Sequence, residues 1–145
     1  MSAHQFPVRV YYEDTDAAGI VYYANYLKFA ERARTEMMRD LGFEHERMRR
    51  DHDLAMAVRR CTVDYLVPAR LDDALVVSTT VLSAAGAALE LEQEVRRGDI
   101  VLARLALRIA CLNSAGRPRR LPPALADAVQ RLSRHASTMV AQHAR

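Results

Sequence analysis

Three carboxylates, Glu13, Asp14 and Asp16, and a run of tyrosines stand close together near the start of this chain. Residues 11–26 read YYEDTDAAGIVYYANY. The alternation of Val8, Val10 and Tyr12 with Arg9 and Tyr11 predicts a strand that ends at the acidic turn Asp14-Thr15-Asp16, and a helix is expected to start near Ala24. A carboxylate on a turn ahead of a helix meets unpaired backbone N–H groups that favour negative charge. That pairing suits acyl transfer: the carboxylate attacks a carbonyl or activates water, and the helix start holds the oxyanion that develops. Asp16 takes the catalytic role. Asp14 and Thr15 read as an Asx-type turn that caps backbone N–H groups. The spacing Asp14-x-Asp16 with Gly19 at the sixth place copies the opening of a calcium loop. Ala18 stands where an oxygen ligand is needed and Asn25 where the bidentate Glu belongs, so no metal site is expected.

Phe6, Tyr11, Tyr12, Tyr22, Tyr23, Tyr26 and Phe29 gather most of the chain's 6 Tyr and 3 Phe into this one stretch. Such a cluster is either core or the wall of a binding site. The helix that follows carries Leu27, Ala30, Ala33, Met37, Met38 and Leu41 at helical spacing and stops at Gly42, and a short charged helix of one or two turns fits Glu44 to Asp51. An extended segment from Ala55 to Val67 ends at Pro68. Three more strands are expected at Leu75 to Leu82, Ala88 to Arg96 and Ile100 to Leu112, separated by Gly86 and by Gly98-Asp99. On the last, Val101, Ala103, Leu105, Leu107, Ile109 and Cys111 share a face, which makes Cys111 a core residue.

Leu89, Leu91, Gln93 and Val95 share the apolar face of the strand before it. Matching the two faces requires even residues to oppose even ones, which pairs Arg96 with Ile100 across a three-residue turn and Glu92 with Arg104. Arg104 and Arg108 are thus assigned to cross-strand pairing. On the Ala55–Val67 segment, parity places Arg59 with Ala57, Cys61, Val63 and Tyr65. An otherwise apolar face then receives one guanidinium unless a bulge intervenes, and Arg59 reads as a buried ion pair at a subunit contact or as a substrate contact. Arg117, Arg119 and Arg120 cluster in a loop before a closing helix from Ala124 to about His135. Adjacent strands with one long helix make an α+β fold with an antiparallel sheet.

The chain has 145 residues, 50% of them hydrophobic, which suits a single domain at 1–145 with its core at about 6–121. No apolar run spans a bilayer and no signal sequence opens the chain, so a cytoplasmic protein without an integral membrane segment is expected. Cys61 and Cys111 form no disulfide framework or zinc-like pair. Net charge is +3, and Lys28 is the only lysine among 21 basic residues. The arginines are spread along the chain, so nucleic acid is not indicated, while an anionic small molecule is compatible.

The run YYEDTDAAGIVYYANYLKFAERARTE, with RRCTVDYLVPARLDD at 59–73 and RPRRLP at 117–122, closely resembles the Tol-Pal-associated acyl-CoA thioesterases, hot-dog proteins related to 4-hydroxybenzoyl-CoA thioesterase. The resemblance implies a five-stranded antiparallel sheet wrapped around one long central helix, assembled as a homodimer or homotetramer with acyl pockets between subunits. It implies an acyl-CoA substrate and no cofactor. It also implies Asp16 as nucleophile or general base, with the Tyr23 backbone N–H as oxyanion donor. Gly19, Val21, Tyr22 and Tyr26, with Arg59 from its strand parity, are the residues expected to bind substrate. Many relatives carry His where this chain has Tyr23, and the turn Ser83–Gly86, basic in some of them, is bare here. Two rivals differ in class. One is a non-catalytic acyl-binding or scaffolding protein tied to lipid synthesis or the Tol-Pal system, against which an intact Asp16 weighs. The other is a hot-dog dehydratase, which needs a His that this motif lacks.

Overall fold

Apolar residues recur at the helical period only along one stripe of α1 (Asn25–Asp40): Tyr26, Phe29, Ala30, Ala33, Met37 and Met38 are all buried. Burying each of the large side chains contributes roughly 1.5–3 kcal/mol. Leu27, expected on this stripe, is 40% exposed, because one residue past Tyr26 turns the helix by about 100° off the stripe. Gly42 ends the helix as expected. It takes up a left-handed φ of 88°, and the Phe43 N–H reaches back to the Met38 carbonyl at 2.8 Å, the closing bond of a Schellman-type cap.

This computed structural model describes residues 3–132. Strands β1 (His4–Arg9), β2 (Ala55–Tyr65), β3 (Ala74–Ala85), β4 (Ala88–Arg97) and β5 (Ile100–Leu112) form one antiparallel sheet in the order β1-β3-β4-β5-β2. Helix α1 packs on β1, β3 and β4. The short α2 (His45–His52) leads into β2, and a third helix, α3, covers 123–132. The sequence expectation for α3 ran to His135, and its last three residues lie outside the described ones.

Three sequence expectations need correction. Strand β1 stops at Arg9, and Tyr12–Asp14 form a 3-10 turn instead of a strand end, since the Asp14 carboxylate captures the Tyr11 N–H at 2.8 Å. The β4–β5 parity is right but its register is two residues off. Arg97 pairs with Ile100 across the tight Gly98-Asp99 turn, an irregularity after Val95 restores even-to-even pairing, and Glu94, not Glu92, faces Arg104. The extra residue on β5 is Leu102, which is also fully buried, so the bulge adds an apolar side chain to the core. Arg104 and Arg108 do pair across the strands, with Glu94 at 3.1 Å and Glu90 at 2.6 Å.

The third concerns Arg59. The β2–β5 register slips between Val58 and Arg60, so the bulge falls on Arg59 itself. Arg59 therefore leaves the apolar face and lines a pocket with Arg108, Ala110 and Pro118, on the sheet face that carries Arg108 and Ala110 and not the one that carries buried Ile109.

Candidate active site

A two-ended clamp builds the loop between β1 and α1. Thr15 bridges Val21, and Ile20 bridges Arg70, so residues 16–20 form a short closed turn. Within it the Asp16 N–H donates to the Ile20 carbonyl at 2.9 Å and the Gly19 N–H to the Asp16 carbonyl at 3.0 Å. Gly19 holds a φ of 81°, a conformation in which a side chain is strained. Asp16 Oδ1 accepts the Ala18 N–H at 2.9 Å, an Asx turn that fixes the carboxylate. Oδ2 has no hydrogen-bond partner among the described residues, and the side chain is exposed.

Asp14 is held through one carboxylate oxygen and through its backbone. Besides the Tyr11 N–H, its backbone carbonyl accepts from the Tyr22 N–H at 2.9 Å and from Asn25 Nδ2 at 2.9 Å. Thr15 caps no N–H. Its hydroxyl donates to the Tyr12 carbonyl at 2.8 Å. These contacts fasten the turn to the first turn of α1.

Ala24 is the N-cap of α1, with no side chain able to cap and no acidic residue in the first turn. The Asn25 side chain does not close the helix end but donates to the Asp14 carbonyl. Among the described residues, the backbone N–H groups of Tyr23 and Ala24 carry no hydrogen bond. Open amides at the positive end of a helix dipole favour negative charge beside them.

Tyrosines surround this opening. The Tyr23 ring lies 4.9 Å from Tyr22 and 6.1 Å, edge-on, from Tyr65 of β2. The Tyr65 hydroxyl donates to the Tyr23 carbonyl at 3.0 Å, which orients the peptide plane whose N–H is that of Ala24. Tyr26 is buried and its hydroxyl accepts the Ala69 N–H at 3.0 Å; its phenol is raised by burial above its ordinary value. Val21 is buried and its N–H is tied to the Ala69 carbonyl at 2.8 Å. Contact with the neighbouring Tyr23 phenol raises the Tyr22 phenol, and burial raises that of Tyr65, so neither ionises near neutral pH.

The structure thus brings together Asp16, Gly19, Val21, Tyr22, Tyr23 and Tyr26, and it leaves Arg59 on the other face of the sheet. Sequence reasoning missed Tyr65 as a neighbour of Tyr23, and it missed a cleft farther along α1. That cleft, of about 270 Å³, is lined by Glu31, Arg34 and His45 among Met37, Met38, Met56 and Val58. The available signal was Arg34, a basic residue four places after Ala30 on the border of an apolar stripe.

A carboxylate with one free oxygen beside an open helix start carries the groups that acyl transfer requires. The chain belongs to the thioesterase-like superfamily, whose family model matches residues 10–129. It is 46% identical to the acyl-CoA thioesterase YbgC of Haemophilus influenzae over 74% of this chain and 79% of that protein. It is 42% identical to the acyl-CoA thioester hydrolase YbgC of Escherichia coli O6:H1, over 83% of this chain and 91% of that one. The crystal structure of a probable thioesterase from Bartonella henselae superposes with a TM-score of 0.80 at 37% identity, covering 83% of this chain and 99% of that one. The five-stranded antiparallel sheet with its helices is accordingly the hot-dog thioesterase fold. Among the described residues, no helix is long and apolar enough to cross a membrane.

Proposed function

We infer that this chain is an acyl-CoA thioesterase in which Asp16 acts on the thioester and the helix start at Tyr23 and Ala24 holds the oxyanion. The enzyme class follows from relatives that share over two fifths of their residues with most of this chain. The observation that carries the site is the setting of Asp16: it is exposed, pinned through Oδ1 and open at Oδ2 on the turn ahead of the helix start. Half-buried Asp14, whose Oδ1 is also unbonded among the described residues, has its backbone carbonyl tied to Tyr22 and Asn25.

The carboxylate has two routes. As nucleophile, Oδ2 adds to the thioester carbonyl, CoA leaves as its thiolate, and water then cleaves the Asp16 acyl anhydride. As general base, Oδ2 takes a proton from the water that attacks. In both, charge gathers on the carbonyl oxygen, where two N–H donors already in place lower the barrier without reorganising. Single-turnover hydrolysis in heavy-oxygen water separates the routes, because label enters the Asp16 carboxylate only through the anhydride.

Thiol release from a panel of acyl-CoA chain lengths tests the reading as a whole. Turnover is expected with at least one chain length and is lost in Asp16→Asn. No turnover across the panel by pure folded protein would sink it. The same reading assigns residues 1–145 to one domain in a homodimer or homotetramer, which the exposed apolar side chains along β2 support. A link to the Tol-Pal envelope machinery rests on the sequence resemblance alone, and a cytoplasmic location is the expectation drawn from the sequence.

A further inference from the structure

The cleft beside Arg34 is lined by Met37, Met38 and Met56 together with polar Glu31, Thr35 and His45, and among the described residues no carboxylate pairs the Arg34 guanidinium. Arg34 is half-buried, and one of its nitrogens donates to Gln93 Oε1 at 3.0 Å. Gln93 is fully buried, and its amide nitrogen is committed to the Ala30 carbonyl at 3.0 Å and to Thr79 Oγ1 at 2.9 Å. Among the described residues, Arg34 makes no other hydrogen bond or ion pair. A guanidinium offers five N–H donors, and donors left dry in a partly buried site are costly. Burial lowers its pKa, and Glu31 opposes that shift, so Glu31 stands within electrostatic reach without closing an ion pair. Both side chains line the cleft, with His45 beside them.

Two lengths connect this cleft with the helix start. From Asn25 to Arg34 is nine residues of α1, about 14 Å at ~1.5 Å per residue. From Tyr65, whose hydroxyl touches the Tyr23 carbonyl, to Cys61, which feels the charge of Arg34, is four residues of β2, about 13 Å at ~3.3 Å per residue. The flank between them is open: Val58, Cys61 and Tyr65 are exposed on the side of β2 next to α1. An acyl group with its carbonyl at the helix start and its chain along this flank ends at Arg34 after about a dozen carbons, given C–C bonds near 1.5 Å.

We propose that the cleft receives the far end of the acyl chain, and that Arg34 and Glu31 together select chains that end in a hydroxyl group. This rests on the thioesterase reading above and names its substrate class. A hydroxyl is both donor and acceptor, so it takes a hydrogen bond from Arg34 and gives one to Glu31. A methyl end leaves the guanidinium donors unpaired. A carboxylate end meets the charge of Glu31.

The test is the matched pair of dodecanoyl-CoA and ω-hydroxydodecanoyl-CoA. The parent enzyme is expected to favour the hydroxylated chain about tenfold in kcat/KM, the value of one well-made hydrogen bond to a charged group. In Arg34→Met, of similar length but without donors, the ratio falls to about one, and in Arg34→Lys part of the preference survives. The ratio is internal to each variant, so a loss of folded enzyme does not move it. Calorimetry with non-hydrolysable thioether analogues of the same pair reads the preference even if neither ester is turned over, which separates this proposal from the thioesterase reading. Equal kcat/KM and equal affinity for the two chains in the parent, a ratio that Arg34→Met leaves unchanged, or a stronger preference for an ω-carboxy chain would each overturn it.

Discussion

Asp14 and Asp16 lie two residues apart on one turn, and their contacts divide structure from chemistry. Asp16→Asn keeps the shape and an oxygen for the Ala18 N–H but loses the charge. Its kcat is expected to fall by about a thousandfold or more, ~4 kcal/mol of barrier, with an unchanged thermal midpoint. Asp14→Ala should do the reverse, losing about 1 kcal/mol of stability with its bond to the Tyr11 N–H, as a urea melt can read. At Tyr23 the open group is the backbone N–H, so Tyr23→Phe is expected to stay within about tenfold of the parental kcat, because an oxyanion donor is worth about a hundredfold or more and this change removes none. A phenol is also a poor acid toward a thiolate leaving group whose pKa is lower than ~10. A thousandfold drop at unchanged KM would put the side chain into the mechanism. That Asp14 caps a backbone N–H could be read in the sequence because the bond lies within three residues. The Tyr65 hydroxyl on the Tyr23 carbonyl spans 42 residues, and no local pattern reports a contact of that range.

At the scale of elements, periodicity identified the strands and the long helix, since each side of an element either meets the core or does not. It failed where the chain adds a residue. The bulges at Leu102 and Arg59 change which side chains share a face, and hydrophobic alternation alone does not reveal where a ladder slips. Gln93 was visible on an apolar face, but its partners, Ala30 on α1 and Thr79 on β3, come from elements that only the folded sheet brings together. His45, at the start of α2, reports on the same packing. Burial draws its pKa below the ordinary value, the Arg34 and Arg39 charges push the same way, and Glu31 opposes them. The folded chain therefore binds fewer protons than the unfolded one below about pH 6.5, so His45 contributes stability that is present above that pH and lost as the pH falls toward its folded pKa. In a proton NMR titration the His45 ring is expected to titrate below ~6.5, and Arg34→Met should move its midpoint upward. A midpoint unmoved by the substitution would place His45 outside the Arg34 cleft.

For the molecule as a whole, the sheet leaves β2 at one edge with little cover. Only Met56 and Val63 are half-buried along its length, and α1 packs on β1, β3 and β4 instead. Val58, Tyr65, Leu66 and Val67 are exposed here, continuous with Tyr22 and Tyr23 at the helix start through the Tyr23–Tyr65 ring contact. An exposed edge strand with apolar side chains invites pairing with another strand, and a second copy of the same chain supplies one through a two-fold axis. The open flank that leads from Tyr23 to Arg34 would then be walled by the partner, and a lone subunit would hold the acyl chain on one side only. Light scattering at micromolar concentration is expected to show a dimer or tetramer. Leu66→Glu, which sets a charge on this edge, should shift the protein toward monomer and lower kcat/KM by about a hundredfold, while circular dichroism stays native. A lone subunit loses the apolar burial that holds the acyl chain, and about 110 Å² of it at ~25 cal/mol per Å² amounts to ~2.7 kcal/mol, or that hundredfold. If the parent protein proved to be a monodisperse monomer with full activity, each chain would have to close its own acyl channel, and β2 would need another reason to be left bare.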